Sequence, residues 1–397
     1  MTFFVFAVSG SYAWANEPEP IRVGFLDVIP SLDADVTPIG NTWLPNGEEE
    51  RTELLLFKPR LAASASDGKN QFSSFVEILN GNYSASAPGA INFVDLRFEG
   101  TARLPLDPQN VIKLRSEFFN THETLGTAFR NGNARVPDRF TTSTVNASYE
   151  YSTAQAKGRL VMDTGTFTKT YTNNNALNFR NREDYNWGGS FYFRVLPGTD
   201  MVAQYRFKNV EYLEDRIQLS VNAWESDNVE TNTYLGATWE APARILGKLK
   251  IASGFKETAI NADRNDSNSA RWETNVRWEP LRDSIVTLNA DRTRHEGTGI
   301  DSFRDTTSLR YNWEYSWSHR LKSALAGNYS DNTYLYSNRK EEGLGLKFRM
   351  DYEYSSWLNM FIAVGHDERK SVFNNINFNQ RTFMLGVAAS LEHLWGW

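Results

Sequence analysis

The chain has 397 residues, a formal net charge of -6 and 23% charged residues, and its mean hydropathy is -0.52. It contains no cysteine, which excludes disulfide staples and thiolate metal sites. Its five histidines (His122, His295, His319, His366 and His393) lack ligand spacing, and no Lys/Arg cluster suggests nucleic acid, so neither a metal, a cofactor nor a nucleic-acid partner is expected.

Residues 1–15, MTFFVFAVSGSYAWA, have an apolar core and end in the small-x-small tripeptide Ala13-Trp14-Ala15, as a signal peptide does, although the basic n-region is missing. Residues 16–397 carry one strand–turn pattern without a linker and are expected to form a single domain. The first predicted strand covers 23–37 and contains Pro30; the others follow from 54–65 through 379–395. No internal run reaches the roughly twenty apolar residues of a membrane-spanning helix, but strands escape that test because only every second residue meets lipid.

The unit of the pattern is clearest at 268–295. Trp272, Thr274, Val276 and Trp278 alternate with Arg271, Glu273, Asn275 and Arg277, and after the turn EPLRDS the residues Val286, Leu288 and Ala290 alternate with Thr287, Asn289 and Asp291. Period two gives a strand with one apolar and one polar face. The arms are longer than globular strands and close to what a tilted strand needs to cross a bilayer. Leu344, Leu346, Phe348 and Met350 repeat the alternation against Gly345, Lys347, Arg349 and Asp351.

Short turns such as 106–110, 196–200 and 355–357 alternate with longer polar loops such as 122–139, 173–184 and 214–230. The fold class is therefore all-β: a transmembrane antiparallel up-and-down β-barrel of about eighteen strands, with short periplasmic turns and both termini in the periplasm. Trp239, Trp278, Trp317 and Trp357 beside the short turns predict an aromatic girdle, and the last strand, 381–397, ends on a tryptophan as bacterial barrels do.

At this point the chain resembles the putative β-barrel porin 2 family, which includes EpsL-like proteins. The carrying stretches include VIPSLDADVTPIGN at 28–41, LLFKPRLAASASDGKNQF at 55–72, GGSFYFRVLPGT at 188–199 and LGKLKIASGFKET at 246–258. The resemblance implies an outer-membrane pore for export of a secreted polysaccharide, with a periplasmic polysaccharide export protein as partner. The alternative is a general or substrate-specific diffusion porin.

Function should then lie on the surface facing the lumen. Parity places Arg97, Lys113, Arg115, Arg206, Lys208, Arg271, Arg277, Arg310, Lys347 and Arg349 there, beside Asp95, Glu99, Glu117, Glu273, Asp291, Glu314, Asp351 and Glu353. Arginine rows would guide an anionic polymer while Tyr192 and Tyr234 stack on sugar rings; alternatively, the opposite charges pair across strands and hold the wall in shape. Ile217, Leu219, Val221 and Trp224 make the loop at 215–228 a candidate constriction. His366-Asp367, and His295 near Asp291, are the nearest approach to an acid–base arrangement, but no nucleophile can be assembled with them, and no enzyme is expected.

Overall fold

The computed structural model describes residues 20–39, 52–84, 92–123, 137–153, 157–213, 227–241, 244–258, 267–296, 303–334, 339–372 and 377–390. The signal peptide expected at 1–15 lies outside them, as do Ile217, Leu219, Val221 and Trp224 of the candidate constriction.

The strands are β1 (Ile21–Val23), β2 (Leu26–Ile39), β3 (Thr52–Ser66), β4 (Gln71–Tyr83), β5 (Phe93–Pro105), β6 (Asn110–His122), β7 (Arg139–Ser152), β8 (Gly158–Tyr171), β9 (Arg182–Leu196) and β10 (Thr199–Tyr212), then β11 (Asn228–Ala241), β12 (Ile245–Thr258), β13 (Ser267–Leu281), β14 (Ser284–Glu296), β15 (Phe303–Ser316), β16 (Leu321–Tyr334), β17 (Lys340–Ser355), β18 (Leu358–Ser371) and β19 (Phe378–Ser390). From β2 onward each pairs antiparallel with the next, and β19 returns to β2, with Leu385 opposite Val36 and Ser390 opposite Ser31. Eighteen strands thus form a closed ring and β1 is additional to it. Closure leaves no unpaired edge, the condition for a sheet to stand in hydrocarbon.

The expected strand at 23–37 is broken in the structure. Gly24 adopts φ +65°, a conformation that costs glycine nothing, and the chain reverses there so that β1 folds back on β2, with Ile21 opposite Val28. Pairing also slips between Trp278 and Leu281, where Pro280 has no N–H to give to the ladder. The segment 173–184, expected to be loop, contains a 3₁₀ turn at Asn175–Arg180 and the start of β9.

Alternation sorts the side chains. Along β17, Leu344 and Leu346 are about half exposed while Lys347 between them and Arg349 is nearly buried. Leu235 and Ile251, directly opposed on β11 and β12, are 65% and 62% exposed. So wide an apolar surface would be an aggregation hazard in water, and it fits a lipid environment. Trp278, Trp317 and Trp357 stand exposed beside the short turns, where amphipathic rings suit the interface.

Candidate functional site: the charged inner wall

Arg206, Lys250 and Glu273 occupy strand positions that alternate with exposed apolar residues, and their partners show that this side of the sheet is concave. Arg206 on β10 donates from both Nη atoms to Glu273 on β13, at 3.1 Å each, across two intervening strands. Neighbouring strands are about 4.8 Å apart, so such a bond needs a wall that curves toward itself. Lys250 on β12 joins the group, with Nζ 2.9 Å from Glu273 and 2.9 Å from the Gln204 oxygen that accepts from it. The Arg206 guanidinium also lies 4.5 Å over the Tyr234 ring, and Arg271 on β13 pairs with Glu230 on β11.

The other residues singled out from the sequence fall into similar sets. Arg97 and Arg115 share Glu99 at 3.2 Å each, and Arg115 also reaches Glu117 at 2.8 Å. Lys113 meets Glu150 at 2.8 Å, and Arg159 meets the same carboxylate at 3.3 Å while lying over Tyr192. Lys208 pairs with Asp184, Arg277 with Glu279, Arg310 with Asp291 and Arg349 with Asp351, at 2.8, 3.0, 3.0 and 2.6 Å. Lys347 forms no ion pair among the described residues. The wall is therefore a mosaic of charge pairs rather than a row of bare cations.

Sequence reasoning passed over Lys58, Lys250, Arg159, Asp35, Glu150 and Glu230. Lys58 pairs with Asp35 at 2.7 Å. The same parity rule, applied to β3, β8 and β12, would have found the three cations.

The two histidine arrangements separate. His366 is opposite the lipid-facing Leu346 and Asp367 is opposite Gly345, so successive residues of one strand point to opposite faces and cannot act as a pair. His295 Nε2 is 2.9 Å from Thr293 Oγ1, which donates to Asp291 at 3.2 Å. No group of three or more potential metal ligands occurs among the described residues.

A closed ring with an apolar exterior and a charged interior defines a bacterial outer-membrane β-barrel pore. More narrowly, the chain belongs to the family described as Putative beta-barrel porin 2, whose profile matches residues 17–391. No curated protein matches the sequence. Among solved structures, the chain is similar to a BenF-like porin from Pseudomonas fluorescens Pf-5, with 12% identity over 93% of this chain and 100% of that one and a TM-score of 0.50. Pseudomonas aeruginosa OpdK, solved with vanillate, is 9% identical over 92% and 99% of the two chains with a TM-score of 0.49. OccK2 (OpdF) of the same organism is 14% identical over 93% and 99%, at 0.47. The first likeness bears on the fold alone.

Proposed function

We propose that the chain is a passive diffusion pore admitting small hydrophilic solutes, with charge selectivity set by the paired wall. The carrying observation is the closed eighteen-strand ring with an ion-paired inner face. A ring of this size leaves an aqueous channel unless something fills it, and paired charges keep that channel wet without binding any one solute tightly. Liposomes reconstituted with the full chain should swell in isosmotic arabinose and more slowly in a larger neutral sugar. Equal, protein-independent rates would reject the reading. In this reading the short turns and both termini are periplasmic.

Export of a secreted polysaccharide with a periplasmic export protein is the second reading. The family resemblance supports it, but the neighbours by structure add nothing to it. Deleting the gene and measuring secreted polymer separates the two: unchanged secretion removes the second.

A further inference from the structure

The ladder that closes the ring is interrupted. On one flank β2 pairs with β3 without a break from Asp27 to Ile39. On the other, toward β19, Ile39 is opposite Thr382, pairing skips Phe383 and Met384, resumes with Val36 opposite Leu385 and ends with Ser31 opposite Ser390. Beyond Ser31 the edge of β2 is taken by β1. The prolines of β2 account for both limits. Ser390 donates its N–H to the carbonyl of Trp357, next to β18, at 2.8 Å. Successive N–H groups of a strand point to opposite neighbours, so Ala389 faces β2 and its partner Leu32 faces β19. By the same alternation Pro30 and Pro38 present their edge to β19, and proline has no N–H to give. Pro38 falls opposite Phe383, where the gap lies, and Pro30 adjoins Ser31, where the ladder ends. Pro59 interrupts the β3–β4 ladder in a similar way, but there pairing continues to both strand ends.

The inner face beside this seam also differs from the charged wall. On β18, the buried Phe361 and Ala363 alternate with the exposed Met360, Ile362 and Val364; on β19, Met384 and Gly386 alternate with the exposed Phe383, Leu385 and Val387. The inward positions from Asn359 to Gly365 and from Thr382 to Ser390 carry no charge. Across the seam, Asp35 is already paired with Lys58 at 2.7 Å, and Asp33 is engaged as well. An apolar strip of the lumen therefore lies against a ladder with missing donors. Strands in hydrocarbon are normally kept together by the backbone groups that parting would leave unsatisfied, and here the prolines leave fewer hydrogen bonds to break.

We propose that the β19–β2 seam parts transiently from its Pro38 end and lets small apolar solutes, such as aromatic hydrocarbons, leave the lumen sideways into the bilayer. This activity goes beyond the diffusion of hydrophilic solutes proposed above and does not need passage through the whole channel. Its test is uptake of phenylnaphthylamine, an apolar dye that fluoresces on entering hydrocarbon, by intact cells carrying the folded full chain in the outer membrane. Uptake should exceed that of cells without the chain. Pro38→Ala returns a donor to the seam and should slow uptake by about twofold to tenfold, the population shift that one backbone hydrogen bond produces. Pro59→Ala, away from the apolar strip, should not slow it. Ala388→Cys with Asp33→Cys, once oxidised, should stop uptake by tying the opposed strands together, and a reductant should restore it. Arabinose-driven swelling of liposomes should be the same in both redox states. Heat-modifiable mobility on gels shows that each variant is folded. No excess uptake with the wild type, undiminished uptake after crosslinking or in folded Pro38→Ala, equal slowing by Pro59→Ala, or joint loss of uptake and swelling on crosslinking would each overturn the proposal.

Discussion

At the scale of residues, the wall is governed by charge matching. Glu273 serves Arg206, Lys250 and, at 3.9 Å, Lys248, so Glu273→Gln leaves three cations facing one another across β10–β13. The barrel should lose on the order of 1–2 kcal/mol, less than a dry buried pair would cost because the inner face is hydrated. The pore should also become more anion-selective, which reversal potentials across a potassium chloride gradient would register; unchanged selectivity would mean that this cluster lies away from the ion path. The alternation of Arg97 and Arg349 with apolar neighbours was legible in the sequence, because parity is a local property of a strand. Arg206 and Glu273 were each singled out, but their pairing was not legible, because it depends on curvature that brings β10 to β13.

At the scale of elements, the turns and the seam carry the tests. Two short turns share the pattern Asp-x-x-Asn. Asp67 accepts from the N–H groups of Asn70 and Lys69 at 2.6 and 2.9 Å, and Asp107 from those of Gln109 and Asn110 at 2.7 and 2.9 Å. These donors, Asn70 first in one turn and Gln109 first in the other, hold both carboxyls below the usual aspartate range. A depressed folded value stabilises above the unfolded one and is lost as pH falls through the folded value. Amide exchange at Lys69, Asn70, Gln109 and Asn110 should therefore quicken in acid beyond its intrinsic trend, and Asp107→Asn should remove that response in its own turn. Along the seam, Gly386 lies beneath Phe361: a Cβ there would sit 2.3 Å from the ring and 2.8 Å from Asp35 Cβ. The ring is nearly buried and has the Arg349 guanidinium 3.7 Å from its centre, so it has little room to yield. Gly386→Ala should cost about 1–3 kcal/mol, seen as a lower temperature for loss of the folded band on gels. The turn at Gly24 was not legible from apolar spacing, since Val23 and Phe25 continue the alternation, and it split an element read as continuous.

At the scale of the molecule, the account rests on a ring that is closed and wet. Closure was legible as an even number of long alternating strands with short turns on one side, whereas the extra strand β1 was not, because a three-residue strand carries too little pattern to register. With no native cysteine, Ala388→Cys with Asp33→Cys places two thiols at opposed positions of β19 and β2, within the reach of a disulfide. Oxidation should give a cyclised chain of altered mobility, and an open seam would give none. The most direct measurement is single-channel recording in a planar bilayer with the purified full chain. The account predicts discrete, ohmic current steps that scale with salt concentration; a folded, inserted barrel that passes no ions would contradict it.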